Sequence, residues 1–303
     1  MTSTANRVVL GRRELIAAFG LLALPRGIRA AEADRLVVAG GALTEVVVAL
    51  GAASRLVGVD TTSLYPTRVV EPLPKVGYFR SLSAEGILSL KPSMLIVSDQ
   101  AGPPGVLDQL RAVKLPMAVV AETFSADHVT GKVVTVAEAI GDKAGGTAMA
   151  ATIKDDLETV RRSIAAHDKP SVLFVLSSTG DRLMAAGQAT AAETMITLAG
   201  GRNAVRGYAN YKPLSAESAL VADPDVIVLP DHALNALGGM EAVRKLPQLS
   251  ATRAASAGRV VSMDSLYLLG LGPRIAHAAR DFAALLHPKA ALPSLPARAW
   301  TAA

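Results

Sequence analysis

Two short stretches carry side chains whose type and spacing could do chemistry. In Val76-Gly77-Tyr78-Phe79-Arg80 a phenol stands two residues from a guanidinium, which can bring a cation and a hydrogen-bond donor to the phenolic oxygen. A free phenol ionises near pH ~10, and a neighbouring cation favours the anion. The second stretch, Ser83-Ala84-Glu85, occurs again as Ser215-Ala216-Glu217. Serine at this place caps the first free N–H groups of a helix, and the acid complements the helix dipole by about 0.3–1 kcal/mol. Little else in the chain points to reactivity. It has no cysteine, so disulfides, thiolate metal sites and thiol catalysis are excluded. The histidines, His128, His167, His232, His277 and His287, lack the paired spacing of a zinc or manganese site. No GxGxxG follows the first strand, since Gly40-Gly41-Ala42 lacks the later glycines, and neither a GxSxG elbow nor a phosphate loop is present.

The elements that must position these groups follow an α/β pattern. Short β-branched runs alternate with amphipathic stretches, the mark of βα units in a parallel sheet. Strands are expected at Leu36 to Val38, Leu56 to Val59, Met94 to Val97 and Met117 to Val120, with helices between them, which makes a first lobe of residues 34–141. A second series, 169–288, carries strands near Val172 to Leu176, Leu183 to Ala185, Val226 to Leu229 and Arg259 to Ser262. Between them, 142–168 read as one helix whose Met149, Ile153, Leu157, Val160 and Ile164 form a single apolar stripe. Lys154 with Glu158, and Glu158 with Arg162, suit its exposed side. The tail, 289–303, is rich in Pro and Ala and reads as poorly ordered.

An internal repeat ties the lobes together. At an offset of 132 residues, Ser83-Ala84-Glu85, Leu88, Pro92 and Asp99 recur as Ser215-Ala216-Glu217, Leu220, Pro224 and Asp231. The unit is a capped helix, a proline stop and a buried strand, so the lobes read as two versions of one design facing across a cleft.

Residues 1–33 read as a cleaved signal peptide. Gly11-Arg12-Arg13-Glu14-Leu15 precedes an uncharged run to Pro25 and then small residues at Ala30, Ala31 and Ala33, an order that resembles the twin-arginine type. The apolar run is too short to span a bilayer. Five of the 31 basic and two of the 26 acidic residues lie in this leader, so the net charge falls from +5 to +2 without it. A nucleic-acid footprint is not supported. The expected product is a periplasmic protein that is not membrane-embedded and works as a monomer.

The whole chain after the leader resembles the periplasmic binding proteins that feed haem, cobalamin and ferric siderophores to ABC importers. The run from Val76 to Pro92 is similar to the haem-binding branch in particular. Thr44-Glu45, Leu198-Ala199-Gly200-Gly201 and Gly270-Leu271-Gly272-Pro273-Arg274 support the same branch less specifically. The resemblance implies two Rossmann-like lobes with parallel sheets, joined by a single long α-helix, with the ligand in the cleft between them. It implies that Tyr78 is the axial ligand of ferric haem, with Arg80 beside its oxygen. A hard anionic oxygen prefers ferric iron, and tyrosine is among the few side chains that ligate haem. It further implies that Glu85 and Glu217 dock on arginines of a permease dimer, which works with its ATPase subunits.

Tyr208, Tyr211 and Lys212 precede the second Ser-Ala-Glu and are candidates for the opposite wall. Asn210 takes the place of Tyr78 there, so no symmetric ligand is expected. Arg182, Gln188, Tyr267 and Arg274 are candidates for contact with the porphyrin or its propionates. Cobalamin or a ferric siderophore is the alternative ligand, and an exported two-lobed enzyme the alternative of another class. The expected action is capture and delivery, with no reaction catalysed.

Overall fold

In a computed structural model, residues 35–177 and 182–301 are described. The leader reading at 1–33 lies outside them. Along the first half come β1 (Leu36–Ala39), α1 (Gly41–Ala49), β2 (Leu56–Val59), α2 (Thr67–Val70), β3 (Gly77–Tyr78), β4 (Ser81–Leu82), α3 (Ala84–Ser89), β5 (Met94–Ser98), α4 (Pro104–Ala112), β6 (Met117–Val120) and α5 (Ala126–Ala139). Then α6 (Lys143–Ile164) runs 22 residues, about 33 Å at ~1.5 Å per residue. The second half holds β7 (Ser171–Ser177), β8 (Leu183–Ala186), α7 (Ala191–Leu198), β9 (Arg202–Asn203), β10 (Tyr211–Pro213), α8 (Ala216–Ala222), β11 (Val226–Pro230), α9 (Asp231–Ala236), α10 (Met240–Arg244), α11 (Arg253–Ser256), β12 (Val260–Met263), α12 (Ser265–Leu269) and α13 (Ile275–Leu286).

Each half is built on its own sheet. The first, in the order β2-β1-β5-β6, is parallel throughout. The second keeps a parallel core of β7, β11 and β12, with β9 parallel to β7, and adds β8 antiparallel to β7 and then β10 at the edge, antiparallel to β8. The reason is chain length. Only residues 178–182 separate β7 from β8, whereas a parallel crossover takes a dozen or more.

The repeat is visible in the fold. Ser83 Oγ accepts the Gly86 N–H at 3.2 Å to start α3, and Ser215 Oγ accepts the Ser218 N–H at 3.1 Å to start α8. Each helix leads into a central strand, β5 between β1 and β6 and β11 between β7 and β12. These strands are buried on both faces, which accounts for their unbroken apolar runs.

One apolar core crosses from half to half. Val38 and Ile96 of the first sheet, Met149, Ile153, Val160 and Ile164 of α6, Phe174 and Val228 of the second sheet and Phe282 of α13 belong to the same cluster. Two smaller clusters fill the outer layers. No helix among the described residues is long and apolar enough to cross a membrane.

Two sequence readings are revised here. On α6 it is Asp156, with Met149, Ile153, Val160 and Ile164, that is fully buried, while Leu157 is half-buried. Glu158 pairs with Arg161 at 2.6 Å and Arg162 at 3.4 Å. The Arg161 guanidinium forks onto both carboxylate oxygens, a geometry a lysine cannot match. Second, the tail as far as Thr301 packs against the rest of the chain. Leu292, Leu295 and Trp300 pack on the shared core, and Arg298 closes a bidentate pair on Asp156 at 2.7 and 3.0 Å. Proline and alanine kept the segment out of regular structure without keeping it off the protein.

Candidate functional site

The carboxyl ends of the two sheets meet. Gly41 opens α1 one residue after β1, and a β-carbon added there would lie 2.5 Å from the Thr62 carbonyl oxygen and 2.8 Å from Leu266 Cδ1, in the helix that follows β12. Only a glycine lets the loop after β2 approach the start of α1 so closely, and Leu266 of the second half packs on the same spot. Open α/β sheets hold ligands at the carboxyl ends of their strands, so this edge is where a bound molecule is expected.

Tyr78 stands on that edge. Its strand runs on past the end of β2, where the Val59 N–H donates to the Pro74 carbonyl, the Val76 N–H to the Val59 carbonyl and the Thr61 N–H to the Gly77 carbonyl at 2.9 Å. β4 completes a short antiparallel pair and donates from Leu82 N–H to the Gly102 carbonyl, beyond β5. Val76 and Leu82 are buried beneath the turn. Tyr78 is left 42% exposed. Arg80 Nη1 donates to its hydroxyl at 3.3 Å, so the two groups singled out by spacing are brought together. Phe79 meets the Tyr78 ring edge-on at 4.9 Å, and the Arg80 guanidinium lies 4.8 Å above the Phe79 ring. This stack holds the arginine beside the phenol.

The second half divides the candidates. Arg182 is exposed and immediately precedes Leu183, which pairs with Ser177 at the carboxyl end of β7, so it reaches the same edge. Tyr211 pairs with Ala186, further from that edge, and its ring packs into the shared core. Burial pushes its phenol up to about 12. Tyr208 donates its hydroxyl to the Ala185 carbonyl at 3.2 Å, with Lys212 4.9 Å over its ring. Burial raises its phenol as well. Asn210 carries a positive φ of 65°, a turn conformation that asparagine tolerates.

Two further candidates have internal partners. Arg274 makes a bidentate pair with Glu45 at 2.7 and 2.8 Å, stacked 3.6 Å from the Tyr65 ring centre. Tyr267 donates to Asp281 at 2.8 Å. Burial pushes the Glu45 carboxyl above the usual carboxylate range, and the guanidinium, by bond and charge, draws it part of the way back.

Several residues at the meeting of the halves escaped sequence reasoning. Lys132 on α5, 1% exposed, holds Glu122 at 2.7 Å and lies 3.5 Å from the Leu271 carbonyl of the second half. His232, at the carboxyl end of β11, hydrogen-bonds through Nδ1 to Ser265 after β12. A lysine in an amphipathic helix and an unpaired histidine carry no sequence signal of such roles.

Glu85 and Glu217 sit in the first turns of α3 and α8, both exposed. Neither has an ion-pair partner among the described residues, so each carboxylate is available to another molecule.

Residues 36–267 match the family described as periplasmic binding protein. The fold is similar to that of the periplasmic haem-binding protein RhuT from Roseiflexus sp. RS-1 in apo form, with 38% identity and a TM-score of 0.82 over 84% of this chain and 98% of that one. It is similar also to the periplasmic haem-binding protein BhuT in complex with two haems, with 41% identity and a TM-score of 0.80 over the same shares of the two chains. A vitamin B12-binding protein of Vibrio cholerae is 26% identical over 203 residues, which are 67% of this chain and 72% of that one.

Proposed function

The chain belongs to the periplasmic binding protein family, and from that premise we propose that it captures ferric haem between its lobes and delivers it to the permease dimer of an ABC importer. The observation that carries this reading is Tyr78, an exposed phenol on the edge where the sheets meet, with the Arg80 guanidinium on its hydroxyl. Its support is chemical. Phenolate is a hard ligand suited to ferric iron, and the guanidinium is placed to donate a hydrogen bond to its oxygen. The similarity to RhuT and BhuT, both haem-binding by name and both above 30% identical, points to the same ligand.

In this reading the porphyrin slides in edge-on, its faces against aliphatic and aromatic side chains. Tyr78 takes the iron, Arg80 steadies the phenolate, and Arg182 meets a propionate from the other lobe. Tyr208 and Tyr211 then serve as packing behind that wall. The protein is exported through its leader, works as a monomer, and presents Glu85 and Glu217, one acid from each lobe, to a two-fold permease with its ATPase subunits. Docking biases the lobes apart and loosens the iron bond.

The similarity to a vitamin B12-binding protein favours cobalamin as the second reading. A titration with hemin followed in the Soret region separates them. The expected result is a saturable band that shifts and weakens in Tyr78→Ala. A wild-type protein that gives no saturable hemin spectrum but binds cobalamin overturns the haem reading, and a Tyr78→Ala spectrum identical to wild type overturns the ligand assignment.

A further inference from the structure

We infer that the C-terminal tail is a second tether between the lobes, a strap that works with α6 to limit how far they part. The chain itself joins its halves once, through α6. The tail leaves the second half after α13 and is pinned in successive steps. Arg280 of α13 donates to the Pro293 carbonyl at 3.1 Å and the Leu292 carbonyl at 3.4 Å. His277 of the same helix reaches the Pro296 carbonyl at 3.0 Å. Arg298 then crosses to α6 and grips Asp156 with two bonds, the carboxylate being 7% exposed and the guanidinium 27%. Beyond it, Ala299 and Trp300 form one wall of a groove of about 560 Å³ whose other walls are Val48, Ala49, Pro66 and Val69 of the first half.

The tail is therefore bonded to the second half and then to the linker, and its end packs on the shared core and lines one groove with residues of the first half. Three prolines, Pro288, Pro293 and Pro296, stiffen it, so little entropy is lost on ordering it. The Arg298 bond explains why a carboxylate interrupts the apolar stripe of the linker. An acid at position 156 is tolerated among buried aliphatic groups only with a cation above it. A strap so placed resists separation of the lobes, because it holds the second half to α6, which packs on α5 of the first half, and parting them draws Arg298 off the linker.

The test is amide hydrogen exchange on the ligand-free protein. It compares wild type with a chain ending at His287, with Arg298→Glu, and with the reciprocal pair Asp156→Arg and Arg298→Asp. The expected result is exchange on the order of fivefold faster at Val48–Gly51 and at 265–274 in the first two variants, the size that fits loss of a partly buried ion pair. The reciprocal pair should restore much of the protection. Should the shortened chain fail to fold, Arg298→Glu alone decides. Unchanged exchange at both lobe contacts, or faster exchange confined to the tail and α13, overturns the strap.

A second arm concerns the proposed ligand and rests on the haem reading. Hemin transfer to apomyoglobin should be faster from Arg298→Glu than from wild type. If hemin does not bind at all, the haem reading falls while the exchange experiment still judges the strap. If hemin binds and exchange at the lobe contacts does not change, the strap falls and the haem reading stands.

Discussion

At the scale of single residues, the buried Glu45–Arg274 ion pair at the lobe junction decides more than its sequence positions suggest. Glu45 is 4% exposed and Arg274 13%, so removing the cation leaves a carboxylate with little water to turn to. Breaking such a pair costs about 3–5 kcal/mol. Arg274→Met should therefore destabilise the protein by that order in urea unfolding at pH 8. The loss should depend on pH. Burial already raises the Glu45 carboxyl, and without its partner the folded state holds the proton still more tightly. A group whose folded pKa lies above its unfolded one stabilises the fold at low pH and ceases to do so as pH rises through the folded value. The deficit of Arg274→Met should thus shrink toward pH 5 and grow toward pH 8. A deficit equal at both ends of that window would mean that Glu45 keeps its charge through another partner.

At the scale of elements, the β3–β4 turn is the smallest piece of the fold and the one on which the proposed ligand rides. Gly77 has a φ of 99°, and a β-carbon there would sit 3.1 Å from the Ser81 carbonyl. Gly77→Ala should cost about 1–2 kcal/mol, the order of a strained backbone position, and displace Tyr78 without altering it. Its expected signature is weaker hemin binding with an unchanged far-ultraviolet circular dichroism spectrum. Full hemin affinity in that variant would show that the turn does not set the position of the phenol. Larger elements were legible beforehand because periodicity and caps announce them. The strands at 36–39, 56–59, 94–98 and 117–120 and the helix at 143–164 begin and end within a few residues of their sequence reading. Two-residue strands such as β3 and β9 have no period to read, and the antiparallel course of β8 follows from a short connection rather than from any residue type.

At the scale of the whole molecule, the continuity of the core limits the motion available. One apolar cluster includes both sheets, α6 and α13, so parting the lobes widely would expose apolar surface at about 25 cal/mol per Å². Delivery by small rocking suits such a body better than wide closure. Docking should then depend on the paired acids rather than on a large movement. Glu85→Lys combined with Glu217→Lys should abolish uptake of haem in cells that depend on the importer, while hemin affinity in solution stays as in wild type. Both residues are exposed helix-start positions, so stability should change by only a few tenths of a kcal/mol. Transport that survives the double reversal would remove the docking role.

The sequence alone determined the α/β alternation, the linker helix and the doubled Ser-Ala-Glu unit, because these are local patterns of periodicity, capping and proline stops. It also drew attention to Tyr78 with Arg80, whose contact needs only a two-residue spacing and a turn. Tertiary structure alone decided that Arg274 belongs to Glu45, that Tyr211 faces the core, that Asp156 is buried and that the tail is bound. Each of these depends on groups separated by tens to hundreds of residues, and no local pattern encodes a partner that only the packing of the two halves brings near.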